Sequence, residues 1–596
     1  MLLGAGGMHI AEREANEWTY LPGPIGISDD LPAGATDGGL VVDDLSKSTY
    51  VFLQNFAHTF RGGLHLRGTG GGVGIESGAA LGAAPASPAD VVFFEGPSNT
   101  VSSLFVGHGH VTLDANRNLG IGDGVTARVG AYNASSSLTL KGTISCENPE
   151  TGFFTSENWQ DTSTGLTLDP GAGRTNHIGR LYVRHPLTIA SGTTLLENTM
   201  SMTDSQTERW DGINTGSPLY VLSGGTLAVT GGELLKPGKR NASQSGTLAV
   251  SGGLVDLAGT GGEFLQATAG PATTTVKGSG RLLVNQYRIA GDGNQTDASK
   301  SVLNLETGGV LRVAYRLYIH ENHPNYKATV NLNGGTFEWA NTASAWAPFA
   351  VNGGGSGTAF YNSMNGIAWN VREGGFVVSN DCNCYFYPAP KSAAAADGGV
   401  TKWGRSTFAL FNTGNDFNGP VSVMQGAFRL GNSGVIPASG TVRVAPGAFF
   451  YNNTYPQTLA RIEGGGTFGE VFRNGTTLLS VTSAIAPGMG ADEVGTLTVS
   501  GGGIDIASGT ALEIDIGENG ACDKFSYPSG LALSSLRLVV NDASKLDKNY
   551  RYEIVSAPQG CIEEFASTNL PDTWHVKYGG TKVELAYTTP FVMVVR

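Results

Sequence analysis

Few residues in this 596-residue chain are spaced as chemistry requires. His320 and His323 form an H-x-x-H in the run IHENHPNY. Zinc hydrolysis on two histidines needs H-E-x-x-H on a helix, so that both rings face one metal and the glutamate faces the attacking water. Here the spacing is one residue short and Pro324 forbids the helix, so a solvated turn is expected. Cys382 and Cys384 form a C-x-C with no second Cys or His pair beside it, and Cys146, Cys522 and Cys561 are scattered. Five such cysteines predict neither a metal centre nor a disulfide scaffold. No G-x-S-x-G elbow and no phosphate loop of the form G-x-x-x-x-G-K-[ST] occurs. Catalytic residues, metal and cofactor are all assigned as none.

One cluster of charge stands apart. Arg174, Arg180 and Arg184 follow closely on Asp161 and Asp169, and Asp204, Glu208, Arg209 and Asp211 crowd the next polar stretch. Cleavage of a uronate polymer would want carboxylates for a calcium ion and an arginine or lysine as base. A site would fall there if anywhere, although charged residues in polar stretches are ordinarily only solvated. Trp159, Trp210 and Trp346 are the corresponding candidates for stacking on a sugar. Residues 340–390 are the richest in aromatics, for which stacking inside the fold is the plainer expectation.

The elements that would position such residues are strands. Glycine is 88 of 596 residues, charged residues are only 15% and hydrophobic residues 40%, enough to bury a core. Short alternating strands bracketed by Gly pairs recur: LYVLSGGTLAVTGG, VLNLETGGVLRV, TVNLNGGTFEW, GTLTVSGGGIDI. GTLAVTGG at Gly225 returns as GTLAVSGG at Gly246, and Gly308-Gly309 returns as Gly334-Gly335. Repeat distances of roughly 20 to 26 residues belong to a solenoid coil, not to a propeller blade of about 40. The fold class expected is all-β: a right-handed parallel β-helix with projecting loops. At about 20 residues per coil and roughly 4.8 Å per coil, the whole would be a rod on the order of 140 Å long. Residues 147–169 and 201–218 read as projecting loops. Ala11 to Trp18 and Ser392 to Asp397 hold helix-forming residues but are too short to stand as helices.

From Val400 onward the chain resembles the autotransporter-associated β-strand repeat of bacterial passenger regions. VTKWGRSTFALFNTGNDFNGPVSVMQGAFRLGNSG has that repeat's order: Lys-x-Gly, a Thr-Phe-x-Leu strand, an Asn-to-Gly turn and a second strand ending at Gly. VIPASGTVRVAPGAFF, QTLARIEGGGTF, GTLTVSG and TALEIDI look like successive elements of the family's tail. Asn55, Phe60 and Gly62 echo the spacing of Asn412, Phe417 and Gly419. The resemblance implies a parallel β-helix outside the cell, and no single activity. It suggests a division at 1–395, coils with insertions whose first coil begins upstream of Met1, and 396–596, repeat-like coils closed by capping strands. No series of ten-residue amphipathic strands follows to make an export barrel. A second likeness is fragmentary: Gly107-His108-Gly109 resembles an element of polygalacturonase-like hydrolases, but of that family's other parts only Asp43-Asp44 is present, and the basic element reads Arg461-Ile462-Glu463.

The function expected is a non-catalytic extracellular or cell-surface rod, adhesin-like or structural. The alternatives are a polysaccharide-active enzyme, a uronate lyase or glycoside hydrolase, and a glycan-binding module. Expected partners are host or environmental glycans or cell-surface components. A net charge of −13 without a basic run excludes nucleic acid, and no apolar run reaches the roughly 18 residues of a membrane-spanning helix.

Overall fold

The computed structural model describes residues 2–588 except 12–17, 28–36, 44–49, 133–135, 149–151, 159–164, 197–218, 237–241, 291–297, 320–326, 341–365 and a scatter of single residues and pairs. The described residues form strands, turns and short 3₁₀ turns, with no α-helix. They gather into two compact units, Met1–Thr329 and Val330–Arg596. Each is a parallel β-solenoid.

In the first unit three sheets wind round the coil. One runs through Met8–Ala11, Leu40–Asp43, Leu64–Arg67, Ala89–Phe94, Arg117–Ile121 and Ile144–Cys146. A second takes Trp18–Leu21, Tyr50–Leu53, Thr69–Ile75, Val101–Val106, Thr126–Ala131 and Phe153–Asn158. A third begins at His110–Leu113 and passes through Ser137–Leu140, Leu166–Leu168, Leu187–Ile189, Thr226–Val229 and Thr247–Val250. The strand Arg281–Ala290 turns a corner, pairing first with Leu254–Leu257 and then with Glu263–Gln266, and so joins two faces without closing a barrel.

The repeat that links Gly225 to Gly246 is a literal stacking. Thr226, Leu227, Ala228 and Val229 pair with Thr247, Leu248, Ala249 and Val250; Leu and Val point into the core and are buried in both coils. The Gly pairs answer two different needs. A Cβ at Gly246 would lie 2.3 Å from the Gly225 carbonyl of the coil beneath, whereas Gly253 takes φ +78°, a backbone that only glycine adopts without strain. Coil length is uneven in this unit, and several coils exceed the expectation. Leu166 is followed in its column by Leu187, but Leu187 is followed only by Leu227, nearly twice as far along the chain. Register survives the longer step. One correction follows: the polar stretch 147–169, expected as a loop, contains the strands Phe153–Asn158 and Leu166–Leu168. Phe153–Asn158 stacks in register on Thr126–Ala131 with Phe154, Thr155 and Ser156 buried, so small polar residues are carried inside the stack. Deeper inside, Gln244 shows how: its Nε2 donates to the carbonyls of Gly246 at 2.9 Å and Thr273 at 2.8 Å.

In the second unit two principal sheets alternate, with shorter and more even steps. Val400–Trp403, Val421–Val423 and Thr441–Val444 stack on one side; Thr407–Leu410, Ala427–Leu430, Phe449–Tyr451 and Thr467–Gly469 on the other. Position 395/396 falls inside this stack, since Val400–Trp403 pairs with Phe376–Asn380. The inward Phe of the Thr-Phe-x-Leu strand repeats as Phe408, Phe428, Phe450 and Phe468, all fully buried, with ring centroids 5.8, 5.9 and 5.5 Å apart. Each such ring contributes about 1.5–3 kcal/mol by leaving water. Trp369, Phe376 and Phe386 lie in the same core, as the plainer expectation for that aromatic stretch had it. The last described strands, Trp574–Tyr578 and Lys582–Tyr587, pair antiparallel with each other and, through the second of them, with Tyr552–Ser556.

One device occurs twice. Asp37 accepts from the backbone N–H of Gly39 (2.9 Å), Arg61 (2.7 Å) and Gly62 (2.7 Å); Asp397 accepts from Gly399, Asn418 and Gly419, each at 2.8 Å. Each carboxylate ties its own Gly-Gly corner to the corner of the next coil, just after a buried Phe60 or Phe417. Asp397→Ala orphans three N–H groups and is expected to cost on the order of 3 kcal/mol. Asp397→Asn, which keeps one acceptor, should cost less; equal midpoints for the two variants in urea unfolding would contradict the clamp.

Candidate functional site

In an in-register parallel sheet, outward residues at matching positions lie about 4.8 Å apart, so charges along a face interact whether or not the sequence sets them near each other. The first sheet carries such a row. His9 Nδ1 meets Asp43 Oδ2 at 3.2 Å, and Asp43 stacks on Arg67. Arg67 Nε donates to Glu95 Oε2 at 2.9 Å, and the other Glu95 oxygen meets His65 Nδ1 at 2.9 Å. His65 Nε2 is 3.0 Å from the Gly62 carbonyl, and its ring lies on Phe93 with centroids 4.5 Å apart and planes within 9°. A carbonyl and a carboxylate both only accept, so both contacts are hydrogen bonds when each ring nitrogen bears a hydrogen. Partial burial pushes the Glu95 carboxyl upward, but the hydrogen bonds and charges of His65 and Arg67 outweigh it and hold it below the usual range.

The two carboxylates of this row, Asp43 and Glu95, stand two coils apart, roughly 9.6 Å along the stack. Inverting glycosidases hold acid and base at a comparable separation with a water between them. Here Arg67 occupies that intermediate position and bonds to Glu95, so the row neutralises itself. The second unit has a similar network. Arg461 bonds to Glu463 at 2.5 Å and to Glu513 at 2.8 Å, and Glu463 is also bound by Arg443. Burial draws the Arg461 guanidinium down, yet the two carboxylates more than reverse this and raise it above its usual range.

The remaining candidates are dispersed. Gly107-His108-Gly109 is a corner between Val101–Val106 and His110–Leu113, with His108 exposed and His110 bonded to Ser137 Oγ at 2.6 Å. Gly107 has a packing role, since a Cβ there would meet the Phe52 ring at 3.0 Å. Asp43, Gly107-His108-Gly109 and Arg461 belong to different elements and are not brought together. Arg174 binds the carbonyls of Ala115 (2.6 Å) and Lys141 (3.2 Å) and Asn118 Oδ1 (3.2 Å), fastening corners. Arg180 and Arg184 lie near Tyr182, which stacks on Tyr220 at 4.9 Å; Asp169 accepts from Ser191 Oγ. No disulfide joins Cys382, Cys384 or the other three cysteines. Among the described residues no group of His, Cys, Asp and Glu is arranged for a metal. Asp161, Asp204, Glu208, Arg209, Asp211, Trp159, Trp210, Trp346, His320 and His323 lie outside the described residues.

Two ionisable residues are buried in ways the sequence does not announce, Lys402 of the Lys-x-Gly element and Asp523. Lys402 is wholly buried, and its Nζ donates to the carbonyls of Trp403 (2.6 Å), Gly404 (2.7 Å) and Gln425 (3.1 Å). Burial draws its pKa down to about 8, while three carbonyls match the three N–H bonds of the ammonium form. Lys402-Trp403-Gly404 is thus a corner clamp in which Gly404 supplies φ +85°. Asp523 is buried beside Asp515 and accepts from the N–H of Gly495 (2.7 Å) and Asp515 (3.0 Å). Burial is the main force raising its pKa to about 7, and the Asp515 charge adds to it.

Fold and charge networks together define the class: a parallel β-solenoid protein whose faces carry self-neutralised ionic ladders. No protein-family model matches the chain, and no curated protein matches it. Among the described residues no helix is long and apolar enough to cross a membrane.

The two acids have opposite signatures. Glu95, held low, stabilises the fold above its unfolded pKa near 4.5 and loses that contribution as pH falls through the folded value. The destabilisation by Glu95→Gln, read from thermal midpoints, should therefore be present at pH 7 and shrink as the pH falls below about 4.5; a constant difference would refute the ladder. Asp523, held high, binds its proton more tightly folded than unfolded. It thus makes stability fall as pH rises from about 4 to about 7. Asp523→Asn should lose that decline, and a variant whose unfolding free energy keeps the wild-type slope would contradict the assignment.

Proposed function

We propose that this chain is a non-catalytic β-helical scaffold displayed outside the cell or on its surface, a structural or adhesin-like passenger. The observation that carries the reading is the self-templating stack. Coil after coil repeats the same inward residues in register, as Thr226–Val229 on Thr247–Val250 and Phe408 through Phe468, while the charged rows on the faces are spent on one another. Such a stack supplies length and stiffness and lets corners grow without disturbing the core. The autotransporter-associated resemblance supports an extracellular setting. Its Lys-x-Gly and Thr-Phe-x-Leu elements correspond here to the Lys402 clamp and the phenylalanine ladder, which are devices of coil building and carry no reaction.

Incubation with polygalacturonate, alginate and neutral plant polysaccharides should release neither reducing ends nor unsaturated uronates. Beads coated with the protein should be retained on surfaces bearing glycans or cells. Product from any polymer would overturn the non-catalytic reading; beads that adhere to nothing would leave a structural role and remove the adhesive one.

A further inference from the structure

The corner between Tyr50–Leu53 and Leu64–Arg67 is closed by a histidine. His58 is buried, and its Nδ1 accepts the backbone N–H of Ile25 in the preceding coil at 2.8 Å. The Thr59 N–H donates to the Ile25 carbonyl at 2.8 Å. On the other side the His58 N–H donates to the Ala79 carbonyl at 3.3 Å, and the Phe60 carbonyl accepts from Ala83 at 3.0 Å. The corner is thus gripped between segments 24–27 and 78–83, and Ile25, Phe60, Ala80 and Leu81 are buried with it. An acceptor at Nδ1 fixes the neutral tautomer whose hydrogen is on Nε2. That Nε2 is buried and has no hydrogen-bond partner among the described residues. Neither Pro24-Ile25-Gly26-Ile27 nor Gly78 to Ala83 holds a titratable side chain, nor do Ala57, Thr59 and Phe60 of the corner itself. The charged groups around them are committed or outside. Asp37 accepts from the N–H groups of Arg61 and Gly62, the Arg61 side chain is exposed, and Arg117, which donates to the Gly82 carbonyl from the coil beyond, is paired with Asp114. Burial draws the His58 pKa below its ordinary value, and the positive amino terminus adds to this.

We propose that this corner is an acid-sensitive latch: protonation of His58 at mildly acidic pH ends its acceptance of the Ile25 N–H and releases segment 24–27 from residues 58–60. In the protonated ring both nitrogens carry hydrogen. Nδ1–H then faces the Ile25 N–H, donor against donor, and the charge stands in apolar surroundings with Nε2–H unmet. His65, at the other end of the same corner, is the contrast, because its two ring nitrogens face a carboxylate and a carbonyl and both contacts survive a second hydrogen. The kind of acceptor sets the pH at which a corner opens. An ordinary carboxylate gives up its charge near pH 4, whereas an imidazole loses its only acceptor near pH 6.5. The closed corner binds the proton more weakly than the open one, so closure is fully favoured above pH 6.5 and weakens as pH falls from there toward the folded value. Release uncovers Ile25 and takes from Leu2–Leu3 its partner strand, Gly26–Ile27. The latch goes beyond the scaffold reading and does not rest on it.

The test is hydrogen–deuterium exchange of the full chain, read by mass spectrometry at about pH 7.5 and about pH 5, each rate divided by the intrinsic rate at that pH. Peptides covering residues 24–27 and 57–60 should lose protection at the lower pH by at least about threefold. The loss should not exceed about thirtyfold, the limit for an open form with the ordinary pKa of 6.5. His58→Asn, whose Oδ1 can accept where Nδ1 does and does not titrate, should abolish the acid-dependent loss. Equal protection of the wild-type corner at both pH values, or the same loss in His58→Asn, would overturn the latch. So would an equal loss in peptides spanning Phe408 to Phe468, because the whole stack and not this corner would then be opening. Exchange of the His58 Cε1 hydrogen, followed against pH in the wild-type chain, decides the matter even if the variant does not fold. Its midpoint should lie below 6.5, and a midpoint at or above that value would overturn the latch.

Discussion

Everything in both units depends on parallel strands stacking in register at about 4.8 Å. That spacing forces each residue to meet its counterpart one coil away, so the unit of selection along the chain is the column, not the strand. Inward columns reward similarity: four phenylalanines from Phe408 to Phe468 form one ladder, and Leu227 and Val229 lie on Leu248 and Val250. Outward columns penalise similarity of charge, because like charges so close repel at low effective dielectric. Alternation in the Asp43, Arg67, Glu95 row and in the Arg443, Glu463 pair follows from that one distance.

Corners obey a different rule. There the chain leaves the ladder, its N–H and C=O groups lose their partners, and a buried corner must find others. Asp37 and Asp397 serve the N–H groups, Lys402 serves the carbonyls, and glycine makes the required approach or positive φ possible. Corners with spare donors and corners with spare acceptors are thus closed by side chains of opposite charge. This is why Asp-Gly-Gly and Lys-x-Gly serve as short signatures in a sequence otherwise low in charge.

How much of this was legible in the sequence can be argued residue by residue. The return of Gly225 as Gly246 was visible because those two coils have no insertion between them. The adjacent step from Leu187 to Leu227 is nearly twice as long and hides the same stacking from any fixed period. Phe60 and Phe417 were visible as an echo, but the aspartates that give the echo its meaning, Asp37 and Asp397, lie about one coil earlier, and Asp397 stood only as the end of a short stretch of helix-forming residues. The strand Phe153–Asn158 was misread for a related reason. Its buried Thr155 and Ser156 resemble loop residues until their register on Arg128 and Val129 of the neighbouring coil is known. His65 and Glu95 were invisible as a pair because their separation in the chain becomes one coil only once the local coil length is known.

Where a solenoid of this kind can do anything beyond standing is constrained by the same geometry. An inward change must fit the columns above and below it, and a corner change must preserve its clamp. An outward position, by contrast, answers only to the outward side chains around it, in its own column and in the columns beside it. Gly72 and Gly74 show such a local departure: a Cβ at 74 would strike the edge-to-face pair Phe52 and Phe105 and one at 72 the Ser103 Cβ, while the core residues Val73 and Ile75 beside them stay buried. A glycine inside a strand costs about 0.5–1 kcal/mol, which the rings that close over it offset by their burial. Small residues in an outward row can therefore reshape a face of the stack, because neighbouring rings close over them edge to face, while the core columns stay as they are.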